Sequence, residues 1–329
     1  MKKELKPFKM GWSGISQYSG LVIILVIICV IFQVKNPLFL TFDNVIAILR
    51  QLSIYGIVGI GMGFLILNGY LDLTVGSMIG ICGVSVAYMM TSANLPIWLS
   101  ILLTLAVGGA IGAFNGAVIT YTGIPAFIFT LAMTTVYRGI IYLVTDGKTI
   151  SNLPKAFLAI GRNSIMGIPV AIIIFFVTLI IAWVILNKTT FGRSVYVAGG
   201  NPLAAKYSGI NNRKITILCY MICGVTAAMA GIVLAAKLSA VQPTLGNSYE
   251  MEAISVAVIG GMSLTGGVGS IAGILLGALV LGVIDNGMIM IGLASYWQMV
   301  VKGIVIVIAV IFDIYKKKGV LSIRRTRRK

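Results

Sequence analysis

The sequence predicts an all-α integral membrane protein, a polytopic helical bundle of about ten transmembrane helices with broken and half-length members. Three observations predict it. Hydrophobic residues make up 59% of the 329 positions and charged residues only 10%, with a mean hydropathy of +1.04, more apolar surface than a soluble core can hide. Runs such as Leu21 to Phe32 and Ile172 to Leu186 are apolar on every side, which suits lipid-spanning helices and not the alternating strands of a barrel. The 39 glycines fit the same class, because small residues let transmembrane helices approach closely where no hydrophobic effect drives them together.

Apolar segments of helical length fall at 18–35, 44–67, 72–92, 95–120, 124–145, 168–187, 215–236, 249–262, 270–291 and 296–313. The eighth is too short to cross a bilayer and reads as a half-helix. Ten crossings put both termini on one face, with the polar stretch Lys188–Lys214 on that face after six. The basic residues agree. Four lysines in the first nine positions, five basic residues in Lys188–Lys214 and eight after Ile314 account for 17 of the 25 cations. That is a positive-inside pattern. The net charge of +17 therefore reads as anchorage beside anionic membrane lipid and not as nucleic-acid binding. The expected organisation is a cytoplasmic segment 1–17, a transmembrane domain 18–313 containing the cytoplasmic loop 188–214, and a basic cytoplasmic tail 314–329. The expected location is a membrane, with both termini on its cytoplasmic face. The N-terminus reads as a retained first span, since no small-residue cleavage site follows its apolar run.

Two interruptions echo one another. GYLDLTVGSMIG (69–80) and GMSLTGGVGSIAG (261–273) each hold a Leu-Thr step and then V-G-S-x-x-G. Unwound backbone at membrane depth is tolerable only beside protein or a water-filled cavity, so such paired breaks point to a translocation path. Asp72, Thr74, Ser77, Ser263, Thr265 and Ser270 are its candidate lining. Tight helix connections are the plainer alternative, with Asp72 capping the helix that follows. Arg50, Arg138, Asp285 and Lys302 lie six or seven residues inside the outer ends of their spans, with Glu252 a little above. Charge at that depth is expensive, so these five form a candidate intramembrane charge layer, either ion pairs fixing helix register or the mouth for a polar solute.

Catalytic chemistry is missing. The chain has no histidine, no phosphate-binding loop and no histidine-supported nucleophile elbow. Cys29, Cys82, Cys219 and Cys223 lie in apolar segments and read as helix packing; no metal site is expected. With eight acidic residues in all, a self-sufficient ion-coupled carrier or channel is the alternative reading. If transport is active, its energy enters from another subunit.

Within TFGRSVYVAGGNPLAAKYSGI (190–210), a Gly-Gly turn precedes Asn201 as helix N-cap and Pro202 at the first helical position. A short helix then runs from Leu203 to Ser208 and stops at Gly209. This stretch resembles the coupling segment of permease subunits of bacterial ribose-type sugar ABC importers, whose pattern is close to F-G-R-x-x-x-A-x-G-G-N-x-E-A-A-x-x-S-G-I. GYLDLTVGS resembles that family's G-G-x-D-L-S-V-G-S. GIPAFIFTLAMTTVYRGI resembles its I-P-x-F-I-x-T-L stretch ending in R-G, and GGMSLTGGVGSIAGILLGALVLGVIDNGM its G-G-x-S-L-x-G-G-x-G-S run. The likeness runs from Phe39 to Asp313 in the family's order.

The resemblance implies a location in the bacterial inner membrane and a pore of two permeases, this chain with a second copy or a paralogue. It also implies cytoplasmic ATP-binding cassette ATPases holding ATP and Mg, and a periplasmic or lipid-anchored solute-binding protein. No cofactor is expected on this chain. Gly199, Gly200, Asn201, Ala204, Ala205, Ser208 and Gly209 would belong to the ATPase-docking segment. Leu203 stands where the family usually has glutamate, which points to an altered dock or to one member of an unequal pair. Tyr70, Leu71 and Thr74 also depart from the pattern and leave the solute open.

Overall fold

A computed structural model describes residues 13–294, 296–305, 307, 308 and 311; the tail 314–329 and most of the segment 1–17 lie outside them. Twelve helices run in order: α1 (Ser13–Lys35), α2 (Phe42–Leu67), α3 (Val75–Thr91), α4 (Ile97–Thr122), α5 (Ala126–Thr145), α6 (Lys155–Arg162), α7 (Val170–Lys188), α8 (Thr190–Gly200), α9 (Pro202–Tyr207), α10 (Asn212–Leu238), α11 (Tyr249–Ile259) and α12 (Ile271–Met290). Residues 296–305 are helical as well. The strands β1 (Ser164–Ile165) and β2 (Ile168–Pro169) form a two-residue hairpin between α6 and α7.

Each of the ten apolar segments holds a helix among its described residues, and seven helices among the described residues are long and apolar enough to cross a membrane. The exceptions have reasons. α3 starts late because the first glycine break uses up the residues before it. α11, with 11 residues, spans about 16 Å at 1.5 Å per residue, half of a hydrocarbon core about 30 Å thick. The chain entering it is irregular: Ser239, Gly246 and Ser248 all have positive φ, and Gly246 lies against Gly76 of α3. The half-helix predicted for the eighth segment is this element.

α2 is the axis of the bundle. From Leu52 to Leu67 it is buried on all sides, packed by α7, α10, α11 and α12. Glycines admit those neighbours. An added Cβ at Gly59 would fall 2.4 Å from Val256, and one at Gly61 2.9 Å from the Cα of Cys223. α4 packs closely along α10: a Cβ at Gly108 would meet the Gly224 carbonyl oxygen at 2.5 Å and one at Gly112 the Tyr220 carbonyl at 2.2 Å. Residues four apart share one helix face, and glycine there lets backbones touch. Cys82, Cys219 and Cys223 are buried and all four cysteines are unbridged, as packing residues would be.

Candidate functional site: the docking segment and the two glycine breaks

The polar stretch folds as two short helices. Thr189 caps α8, its side chain accepting from the Gly192 amide at 3.1 Å. Asn201 caps α9 by accepting from the Ala204 amide at 3.0 Å, with Pro202 at the first helical position. α9 ends at Tyr207, followed by Ser208 and by Gly209 at φ 77°. Of its side chains Ala205 is fully buried, while Leu203 and Tyr207 are 69% and 88% exposed; Ala204 and Ser208 are exposed too. The helix thus stands on Ala205 and presents an apolar and aromatic ridge outward.

The Gly-Gly pair is no turn: Gly199 and Gly200 form the last turn of α8. The reason is non-local. Gly199 is pressed against the end of α2, where an added Cβ would lie 1.8 Å from the Leu67 carbonyl oxygen, so its lack of a side chain serves packing and not a change of direction. Gly266 and Gly267 complete the contact. Both have positive φ, and their Cβ positions would fall 2.7 Å from the Gly199 oxygen and 2.5 Å from the Gly200 Cα; Gly266 also abuts the Gly69 amide. The Gly267 amide donates to the Leu67 carbonyl at 2.8 Å, and the Tyr196 hydroxyl on α8 to the Gly269 carbonyl at 3.0 Å. Burial pushes the Tyr196 phenol above its ordinary pKa, with the nearby Tyr18 adding to it. The two breaks that echo one another in sequence therefore meet on one short helix, which their spacing of almost two hundred residues gave no means of foreseeing.

The six candidate path residues fall into two groups. Asp72, Thr74 and Ser77 are fully buried at the start of α3. The Asp72 Oδ1 accepts from the Thr74 amide at 2.8 Å and from its hydroxyl at 2.5 Å; this is a turn leading into α3 and not the expected cap, because Thr74 is the residue before the helix and no amide of the helix itself is bonded. Asn115 of α4 donates to Thr74 at 3.1 Å and Tyr137 of α5 donates to Asn115 at 2.6 Å. The Ser77 hydroxyl donates to the Thr74 carbonyl. The Asp72 Oδ2 is buried without a partner among the described residues. The second group lies in the other break: Ser263 and Thr265 hydroxyls sit 3.3 Å apart, and Ser270 caps α12 while meeting the Tyr18 hydroxyl at 2.5 Å. Asn115 and Tyr137, which tie the first group to α4 and α5, carried no sequence signal beyond a polar side chain inside a span.

Of the five deep charges, three come together. Lys302 reaches Glu252 at 2.5 Å and Asp285 at 2.8 Å, and the Tyr55 hydroxyl donates to Asp285 at 2.8 Å. Arg138 is elsewhere, donating to the carbonyls of Pro243, Leu245 and Gly76 at 3.0, 2.7 and 3.2 Å, so it fastens the irregular chain before α11 to α3. Arg50 joins neither group through its Nε, which is buried without a partner among the described residues.

The comparisons agree with this architecture. A family model described as the permease component of branched-chain amino acid transport systems matches residues 44–310. The ribose import permease protein of Haemophilus influenzae is 40% identical over 96% of this chain and 98% of its own, and that of Bacillus subtilis is 41% identical over 93% and 95%. The D-allose transport system permease protein of Escherichia coli is 34% identical over 94% and 95%. No solved structure matches. A multi-span helical bundle with a match of this extent leaves one conclusion: the chain belongs to this family of transport-system permease components.

Proposed function

We propose that the chain is the membrane-spanning subunit of an ATP-binding cassette importer for a small sugar or sugar-like solute. It pairs with a second permease, receives solute from an external binding protein, and draws on ATP and Mg held by ATPases docked at α9, with both termini cytoplasmic. The observation that carries this reading is α9: a capped six-residue helix whose exposed ridge is free for a partner, while α8 behind it touches both glycine breaks. A push on α9 is passed to Leu67, Gly69 and the 263–269 segment without an intervening side chain. The names of the relatives, ribose and D-allose among them, support the solute class. The breaks, with Asp72, Thr74, Ser77, Ser263, Thr265 and Ser270, are the elements proposed to move against the solute path.

The test is purification from native membranes under conditions that keep the oligomer. The parent chain should recover an ATPase with a phosphate-binding loop, and a Leu203→Arg, Tyr207→Arg double variant should recover at least tenfold less at unchanged thermal stability, since both side chains are exposed. Absence of any ATPase from the parent sinks the importer reading and favours an ion-coupled carrier.

A further inference from the structure

The ridge of α9 carries one charge, and that charge stands between its two large side chains. Residues three and four apart share a helix face, so Lys206 and Tyr207 both lie beside Leu203. All three are exposed, while Ala205 is fully buried against the bundle. Leu203, Lys206 and Tyr207 therefore point away from the bundle together, and whatever covers the leucine and the tyrosine covers the ammonium too. We infer that Lys206 pairs with a carboxylate set in an apolar groove of the docked ATPase, and that this pair selects which ATPase the chain accepts. The inference rests on the function proposed above.

Taking an ammonium out of water is costly unless it is paired. The chain supplies no partner. Residues 188–214 hold five cations, Lys188, Arg193, Lys206, Arg213 and Lys214, and no aspartate or glutamate. None of the five forms an ion pair among the described residues. Lys188 and Arg213 lie over the rings of Trp183 and Tyr121, each 5.5 Å from the centroid. Such rings at the ends of spanning helices mark a membrane interface, so those two cations suit lipid headgroups. Lys206 is stacked on no ring among the described residues and belongs to the outward ridge. When Leu203 and Tyr207 enter a groove, the counter-charge for Lys206 has to come from the wall of that groove. A groove with a basic residue there would bury two like charges, which is how the contact discriminates between ATPases.

The test uses the full chain and the ATPase that copurifies with it. The complex is treated with a carbodiimide, which joins a lysine amine to a carboxylate in direct contact, and the joined peptides are mapped by mass spectrometry. Affinity for the same ATPase is then measured for Lys206→Arg, Lys206→Glu and Lys214→Glu, the last an exposed cation outside the ridge. Thermal unfolding checks that each variant folds. Lys206 should be joined to an aspartate or glutamate of the ATPase. Lys206→Arg, which keeps the charge but gives no such product, should bind like the parent, and so should Lys214→Glu. Lys206→Glu should bind at least tenfold more weakly, and changing the mapped carboxylate to lysine should restore its binding. If the ATPase copurifies but Lys206 gives no product with it, or Lys206→Glu loses less than tenfold, the pairing is overturned while the importer reading stands. An equal loss in Lys214→Glu also overturns it, since that is general attraction to a basic face, as is loss of bound anionic lipid alone in Lys206→Glu. If no ATPase copurifies with the parent, the importer reading fails and this inference with it.

Discussion

Lys302 holds two carboxylates, and each has a second oxygen, Glu252 Oε2 and Asp285 Oδ1, buried without a partner among the described residues. The ammonium is what makes their burial tolerable. Breaking a buried pair by removing one member leaves an uncompensated charge and costs about 3 kcal/mol or more. Lys302→Met should therefore lower thermal stability in detergent well beyond Glu252→Gln, and the double variant should recover part of the loss; additive losses would show that the groups do not interact. At this scale the sequence was half legible. Charge at depth was plain from the spans, but 50 residues separate Glu252 from Lys302, and only the packing of the last helix on α11 and α12 selects that partner over Arg50 or Arg138.

Among elements, α8 carries the sharpest contrast between neighbouring residues. Gly199→Ala would drive a methyl group to 1.8 Å from a backbone oxygen, whereas the nearest atom to a Cβ at Gly200 is 3.7 Å away. Overpacking against backbone costs about 1–3 kcal/mol, so Gly199→Ala should lower thermal stability and uncouple the activity of the proposed partner ATPase from transport, with Gly200→Ala close to the parent in both. The pair also shows why local signals misled. Adjacent glycines read as a turn because backbone freedom is their usual use, and nothing in the neighbouring residues announces Leu67 as a contact. α9 was legible to within a residue at its start because its cap and its proline act locally.

For the whole molecule, the ten apolar segments were readable because lipid imposes one period and one length on every span. The pairing of α2 with late helices was not readable, since it depends on shape and not on hydropathy. Between the β1–β2 tip and α9 only α7 is long and apolar enough to cross a membrane, and Met166 at that tip is 98% exposed. Met166→Cys and Tyr207→Cys should thus label with a membrane-impermeant maleimide from opposite sides of sealed vesicles. The native thiols at 82, 219 and 223 are fully buried and should stay silent. Labelling of both from one side would refute the single crossing.

The all-round burial of α2 has a consequence for biogenesis. α2 leaves the ribosome early, yet α7, α10, α11 and α12, which wrap it in the finished protein, are synthesised more than a hundred residues later. During that interval lipid is its only solvent, so its apolar character is selected twice: first for entry into the bilayer, then for the core. A polar substitution in α2 would be paid for at insertion, before any native neighbour exists, and would deplete the membrane of the chain instead of yielding an assembled but weakened transporter.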